Sequence, residues 1–396
     1  MSGISTILKV SISWVERLSM TTTITFFIVF LILIVIVGTV ISPQGRAVIH
    51  TSLFVSQILD LPIKPQTWFI DTPIRQKVIY PGPHTELVSD VYSLSDGESR
   101  PGILLFLGAN AAGRDDPDVI RLGQALARSG FIVMFHWSQS MGEQNELDPS
   151  EIENLVWAFQ HLIAQPKVVD SKTGIGGFSV GGSFALIAAS DSRIRDNIAF
   201  VNSFGGYFDA HDLFLQIATR SIIDSNTQID WQVDPLTLRV FSNEVIGSLT
   251  SDVDKELLKG LYSGRITAEY SELAKLSPQA LKVKGLIDGE DLEAARKLMA
   301  ELPQEVLMDL DSISPRNHVH NIKAEVLIIH DVADLLIPVS ESRKLASAFE
   351  GNANFKYTET DLFDHVRPTK DRNWRKTLIG GFKVYKHMYR IIRFAM

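Results

Sequence analysis

The sequence predicts an α/β fold in which a mostly parallel, twisted sheet is covered by helices on both faces. Short apolar stretches such as residues 103–107 and 324–329 have the length and composition of strands buried on both sides. Helical patterns alternate with these strands, as they do where helical crossovers join parallel strands. Polar residues directly follow several strands, at the edge where such sheets bind their ligands.

The domain is expected to open near Arg75 with an antiparallel pair of strands, 76–80 and 86–92, joined by a turn in which Gly82 lies between two prolines. Strands and helices then alternate within two core parts, 75–206 and 322–396. The other expected strands are 103–107, 131–135, 173–175, 198–202, 324–329 and 354–359, and the expected helices include 117–129, 149–162, 182–190 and 339–349.

The segment between the two core parts differs from them. Residues 207–321 show helical patterns and no strong strand. We interpret this segment as a helical insertion that forms a cap or lid.

Composition excludes several classes of function. The chain has 396 residues, enough for one large domain or one domain with an insertion. Its formal net charge of −8 argues against nucleic acid as a partner. It has no cysteine, which excludes disulfides, thiolate metal sites and a cysteine nucleophile. No nucleotide, flavin or metal motif is present, and His318 and His320 lack an obvious third ligand, so no cofactor is implied.

The N-terminal part contains the longest apolar run, with no charged residue between Leu18 and Gly45. About 20 apolar residues at a rise of about 1.5 Å span a hydrocarbon core of about 30 Å. We therefore expect a transmembrane anchor at 22–42, rather than a cleaved signal peptide, whose apolar region is about 7–15 residues long. Residues 1–21, with Lys9 and Arg17, are expected to be cytoplasmic and the remainder to lie outside.

Residues 43–74 are expected to link this anchor to the domain, because a mildly amphipathic stretch is followed by Pro62, Pro65 and Pro73. The C-terminal stretch 370–396 is basic and amphipathic. Two compatible interpretations stay open for it. It is the last helix of the domain, packing on the sheet with a solvated basic face, or it lies on an anionic membrane surface.

The first candidate catalytic motif is Gly177-Phe178-Ser179-Val180-Gly181, which lies between a short strand and a small-residue helix. In that context G-x-S-x-G is typical of a nucleophile elbow, a sharp turn that lifts the serine hydroxyl out of the sheet. The glycines let strand and helix pass closely, and the helix start directs free N–H groups at negative charge near Ser179. An ordinary glycine-rich turn is the alternative.

A serine hydroxyl needs a base that accepts its proton, and the base needs a third group that orients it. Asp331 and Asp334 follow the strand 324–329, and His365, with Asp364 beside it, follows the strand 354–359. Catalytic residues of parallel sheets collect at the carboxyl ends of the strands, so these groups are expected to meet.

With these residues the chain resembles the α/β-hydrolase family over about residues 76–394, in the order serine, acid, histidine. The resemblance implies Ser179 as the nucleophile, Asp334 as the acid after strand seven and His365 as the base after strand eight. Asp331 is the rival acid, where the family commonly has glycine. The insertion follows strand six, where the family's lids are found. The esterase and dienelactone-hydrolase-like branches are the most similar, although the latter often uses cysteine.

The resemblance also implies an oxyanion hole made of two backbone N–H groups. Val180 is expected to supply one of them, and Ala109, in the loop 108–113, the other. Leu107 stands where the family often has histidine, a departure that leaves the main-chain donor in place.

The expected function is that of a membrane-anchored serine hydrolase that cleaves a carboxylic ester or thioester of a small-molecule or lipid-like acyl substrate. A peptidase, a lipase or an acyltransferase would use the same residues. A non-catalytic hydrolase scaffold at the membrane is the alternative from another class. The oligomeric state is left open.

Overall fold

The computed structural model describes residues 25, 26, 28, 37–109, 112–224, 227–267, 273–368 and 374–396. Segment 1–21 and most of the expected anchor 22–42 lie outside these residues. Within the described part of the chain, no helix combines the length and the apolar character that a membrane span requires.

A sheet of eight strands, antiparallel at one edge and parallel elsewhere, forms the centre of the molecule. Its members are β1 (Ile74–Pro81), β2 (Glu86–Ser93), β3 (Gly102–Phe106), β4 (Ile132–Trp137), β5 (Gly174–Phe178), β6 (Phe200–Phe204), β9 (Glu325–Asp331) and β10 (Phe355–Thr360). Two small hairpins lie outside this sheet, β7 (Ser221–Asp224) with β8 (Thr227–Asp230) and β11 (Phe363–Asp364) with β12 (Arg367–Pro368). The order in the sheet is β1-β2-β4-β3-β5-β6-β9-β10. β2 pairs antiparallel with β1 and β4, and the other neighbours are parallel. The predicted α/β architecture is therefore confirmed.

Each buried strand divides its side chains between two cores, because successive residues point to opposite faces. In β3, Leu104 and Phe106 belong to one hydrophobic cluster, and Ile103 and Leu105 belong to the other. Since the parallel strands run in one direction, the loops after β3, β5, β6, β9 and β10 lie at the same edge of the sheet.

Helices cover both faces, and their ends follow ordinary capping rules. In the third helix, Asp116 accepts the N–H of Asp118 at 2.8 Å and Pro117 takes the first position. The helices are α1 (Pro43–Ile58), α2 (Gln66–Phe69), α3 (Pro117–Arg128), α4 (Ser150–Ile163), α5 (Val180–Ala188), α6 (Ala210–Thr219), α7 (Pro235–Gly247), α8 (Asp252–Tyr262), α9 (Pro278–Asp288), α10 (Leu292–Ala300), α11 (Gln304–Ser312), α12 (Val339–Ala348) and α13 (Trp374–Ile392).

The expected linker 43–74 needs a correction, because much of it is α1. The helix begins after Ser42, whose hydroxyl accepts the N–H of Gly45 at 3.1 Å. Phe54 and Leu59 are buried in the same cluster as Ile103, so this segment is part of the domain. The sequence interpretation missed this because the amphipathic pattern is mild and prolines follow it.

Residues 207–321 contain α6 to α11, in agreement with a helical insertion between β6 and β9. The antiparallel hairpin of β7 and β8 interrupts these helices, although no strand was expected there. β8 is exposed along its whole length. It therefore lacks the alternation of apolar and polar residues by which a sequence reveals a strand.

Candidate active site

Ser179 occupies a strained turn between β5 and α5. Its backbone has φ 54° and ψ −136°, a conformation that residues other than glycine rarely adopt and that costs about 1–3 kcal/mol. The Ser179 N–H donates to the carbonyl of Phe204 at 2.7 Å, and its own carbonyl accepts the N–H of Gly182 at 2.9 Å. Such strain persists only where the surroundings hold it, and here β6 and the first turn of α5 hold it.

Steric crowding explains the two glycines around the turn. A Cβ added to Gly177 would lie 2.1 Å from the carbonyl oxygen of Gly181. A Cβ added to Gly181 would lie 2.5 Å from the carbonyl oxygen of Phe106. Strand and helix thus pass each other at backbone contact, which only glycine allows.

The structure joins Asp334 to His365. Nδ1 of His365 lies 2.5 Å from Oδ2 of Asp334, and the other carboxylate oxygen accepts the N–H groups of Leu336 at 2.8 Å and Ile337 at 3.1 Å. A carboxylate only accepts, so Nδ1 of His365 carries the proton and donates. Burial by itself would raise the pKa of Asp334, but the neighbouring His365 and His330 hold that pKa well below its usual range.

Asp331, the rival acid, has a different role. Its carboxylate accepts the N–H of Ala333 at 3.0 Å and the N–H of Phe363 at 2.8 Å. Burial raises the pKa of this carboxyl. Asp331 thus ties the turn after β9 to the segment that leads to His365, and it makes no hydrogen bond to that ring. The side chain of Asp364 lies outside the described part of the structure.

The end of β6 lies beside all three groups. Phe204, which holds the N–H of Ser179, is followed by Gly205 with φ +67°. A Cβ on Gly205 would lie 3.2 Å from Cε1 of His365 and 3.4 Å from Oδ2 of Asp334. Among the described residues, Nε2 of His365 is buried and has no hydrogen-bond partner, so no bond joins it to the Ser179 hydroxyl.

The two expected oxyanion donors also lie at this edge. Val180 is the first residue of α5. A Cβ on Gly108 would lie 2.4 Å from the nitrogen of Gly181, so the loop that contains Ala109 approaches the start of the helix. Ala109, Ser179 and Val180 line one cavity.

That cavity is small, apolar and roofed by the insertion. Its volume is about 50 Å³. α6 contributes Leu213, Phe214 and Ile217, and α7 contributes Val240 and Phe241. None of the described residues that line it is charged. The site therefore suits a neutral, apolar group beside Ser179.

His330 is the main site residue that sequence reasoning missed. It is fully buried, with Nε2 3.1 Å from Oδ2 of Asp334 and 2.9 Å from the carbonyl of Ile337. Both neighbours only accept, so Nε2 of His330 is protonated and donates. Nδ1 faces the hydroxyl of Ser342. The sequence signal that could have identified it is its position, four residues before the predicted acid Asp334 and near the end of β9.

A buried ion-pair cluster fixes Arg114, which follows the loop 108–113, and sequence reasoning missed it too. Asp90 in β2 is buried and accepts from Arg75 and Arg114, both at 2.9 Å. Arg75 also donates to the carbonyl of Arg114 at 2.7 Å, directly after the loop 108–113. Burial raises the pKa of Asp90, but the two guanidinium groups more than offset this and lower it below the usual value.

Among the described residues, no group of three or more histidine or acidic side chains is arranged so that it could hold a metal ion. His318 and His320, the pair noted in the sequence, lie in two short turns before β9.

No protein-family model and no curated protein matches the sequence. Several solved structures resemble it. An esterase from Pyrobaculum calidifontis has a TM-score of 0.47 and 13% identity, over 89% of this chain and 90% of that one. The 2,6-dihydroxy-pseudo-oxynicotine hydrolase has a TM-score of 0.45 and 13% identity, over 81% and 67%. The Pyrococcus horikoshii acylaminoacyl peptidase has a TM-score of 0.40 and 14% identity, over 83% of this chain and only 42% of the peptidase.

These three proteins are named as hydrolytic enzymes, and at such identities the likeness concerns the fold. The chain's own topology makes the assignment. β1 and β2 form the antiparallel edge, β3 crosses between β4 and β5, and Ser179 stands at the turn from β5 into α5. The chain therefore has the α/β-hydrolase fold.

Proposed function

We propose that the protein is a serine hydrolase that cleaves carboxylic esters or thioesters through Ser179, His365 and Asp334. One observation supports this above the others. A buried, hydrogen-bonded Asp334–His365 pair stands at the strand end that also holds the strained Ser179. A glycine-rich turn without catalytic function does not require such a pair.

In the proposed reaction, Oγ of Ser179 attacks the acyl carbon while Nε2 of His365 takes the hydroxyl proton. The carbonyl oxygen becomes an oxyanion that accepts the N–H groups of Val180 and Ala109. Collapse expels the alcohol or thiol, which receives the proton from His365. A water molecule then repeats these steps on the acyl-enzyme, releasing the acid and restoring the hydroxyl of Ser179.

Asp334 stays ionised throughout, because His365 and His330 keep its pKa low. It fixes the ring of His365 with the proton on Nδ1, which leaves Nε2 to act as the base. The proposed reaction also requires a hydrogen bond from the hydroxyl of Ser179 to Nε2 of His365. Catalytic hydrogen bonds of this kind often form fully only when substrate binds.

The cavity supports an acyl group over a peptide as the substrate. Its described lining is apolar and uncharged, so a charged terminus would lose hydration without gaining a partner. At about 50 Å³ it admits a short acyl group. A longer chain requires α6 and α7 to move apart, which is the movement expected of a lid.

The test compares Ser179→Ala with the unchanged protein, using p-nitrophenyl acetate, longer p-nitrophenyl esters and a fluorophosphonate label. Ser312→Ala, at an exposed position in α11, is the matched control. We expect turnover and labelling in the unchanged protein and in the control, and neither in Ser179→Ala. A folded protein that is neither labelled nor active would favour the scaffold, and equal activity in Ser179→Ala would move the nucleophile elsewhere.

A further inference from the structure

The C-terminal helix α13 has two different faces. Val384, His387 and Ile391 point inward and are buried, and α13 packs against β10 of the sheet. This agrees with the interpretation of the C-terminal stretch as the last helix of the domain, for the described residues. The opposite side, which we call the outer face, is exposed. It comprises Arg375, Lys376, Leu378, Ile379, Phe382, Lys383 and Lys386.

The outer face exposes large apolar side chains next to one another. Leu378 and Ile379 are each 64% exposed and Phe382 is 57% exposed. On a helix, positions 378, 379 and 382 lie on one side, because residues three and four apart are neighbours. Single exposed apolar residues are ordinary, but a contiguous group usually marks an interaction surface.

Basic side chains surround this group, and residues 374–396 contain no acidic residue. Nζ of Lys386 lies 4.5 Å from the centre of the Phe382 ring, and Lys376 lies 3.9 Å from Asp361. The chain as a whole carries a net charge of −8. Positive charge is therefore concentrated on this helix, on a protein that is otherwise acidic.

The outer face lies near the helix that follows the apolar run. α13 packs beside α1, and the hydroxyl of Tyr385 donates to the carbonyl of Val48 at 3.5 Å. Just before α1, Val37, Val40 and Ile41 are 51%, 53% and 67% exposed. Exposed apolar residues thus occur both on α13 and at the end of the apolar run that precedes α1.

We propose that the outer face of α13 lies on the surface of an anionic phospholipid bilayer. Leu378, Ile379 and Phe382 enter the boundary between headgroups and acyl chains, and the lysines bind lipid phosphates. Apolar residues flanked by cations are the composition of interfacial helices. A second copy of the chain fits less well, because the same cations would then face each other. This inference does not depend on the catalytic proposal.

The absence of cysteine makes a direct test possible. Ile379→Cys is introduced into the full chain and labelled with a nitrobenzoxadiazole fluorophore. Val253→Cys in α8, at a site 78% exposed, is the matched control. Each protein is combined with vesicles of phosphatidylcholine alone, or of equal parts phosphatidylcholine and phosphatidylglycerol. Blue-shifted emission and protection from iodide quenching are expected at 379, more strongly with phosphatidylglycerol, and not at 253.

Charge reversal tests the electrostatic part. Each basic residue contributes about fivefold to partitioning onto an anionic surface. In the labelled Ile379→Cys protein, Lys383→Glu with Lys386→Glu is therefore expected to lower the ratio of lipid-embedded to water-exposed label at least about 25-fold. Arg296→Glu with Lys297→Glu, at exposed positions in α10, makes the same change in net charge on another surface and is expected to have little effect.

Two results would overturn the proposal. One is iodide quenching at 379 that matches quenching at 253 in anionic vesicles. The other is shielding at 379 without lipid, together with sedimentation as a dimer, which would make a second copy the occupant. Ester hydrolysis plays no part in either measurement, so a failure of the proposed function leaves this test intact.

Discussion

The sharpest prediction concerns His330, because its effect on the reaction passes through Asp334. His330→Leu removes the donor 3.1 Å from Oδ2 of Asp334 and fills the buried site with an apolar side chain of similar bulk. A hydrogen bond to a charged group contributes about 1.5–3 kcal/mol. Without this donor the carboxylate of Asp334 is held in place less firmly and orients the ring of His365 less well. If this loss of orientation costs the transition state the whole amount, kcat/KM above the acid limb falls about 10- to 150-fold.

The pH dependence gives the sign of the effect. His330 is one of the groups that lower the pKa of Asp334, so its removal raises that pKa and makes the carboxylate a stronger acceptor. The stronger acceptor stabilises the doubly protonated ring of His365. The acid limb of the kcat/KM profile is therefore expected to move to higher pH. The other acids nearby are Asp331 and Asp361, which the substitution leaves in place.

The assay is p-nitrophenyl acetate hydrolysis from acid to neutral pH, normalised to the amount of fluorophosphonate-reactive protein. His330→Gln is the comparison, because its amide can donate near the position of Nε2 and is expected to keep the acid limb close to that of the unchanged protein. A purely structural His330 would reduce the amount of active protein without moving the limb. A folded His330→Leu protein with an unchanged profile would refute the reasoning.

Three further predictions follow from the site. Asp334→Asn is expected to lower kcat by about 10⁴, as when a triad acid no longer orients its histidine, measured by steady-state hydrolysis with circular dichroism as the folding control. Phe214→Ala enlarges the cavity beside Ser179, so the ratio of kcat/KM for hexanoyl esters to kcat/KM for acetyl esters should rise. Urea unfolding should show that the free energy of unfolding falls by about 3–5 kcal/mol. An unchanged ratio would exclude Phe214 from the acyl site. The lowered pKa of Asp90 means that its pairs with Arg75 and Arg114 stabilise the fold above the unfolded-state pKa of about 3.9. This stabilisation is lost as pH falls through the folded-state pKa. Asp90→Asn should therefore reduce stability at neutral pH and flatten its decline in acid, as followed by urea unfolding across pH.

The sequence by itself determined the order of the elements and the position of the turn at Ser179. Both depend on neighbours along the chain. Fully apolar stretches such as Gly102–Phe106 identify strands buried on both faces, and Gly177 and Gly181 mark the only backbone that fits between strand and helix. Local patterns failed to reveal an element where the contrast between apolar and polar positions is weak, as in the exposed β8 and the mildly amphipathic α1.

Only the tertiary structure decided how Asp331, Asp334 and His330 divide their contacts. All three come from the end of one strand and the turn after it, and their spacing does not say which side chain reaches His365. In the folded chain Asp331 accepts the N–H of Phe363, while the turn after β9 brings Oδ2 of Asp334 to the rings of both His365 and His330. These directions depend on the register of β10 against β9 and on the path of the chain beyond β10, contacts between segments roughly thirty residues apart that no local pattern encodes.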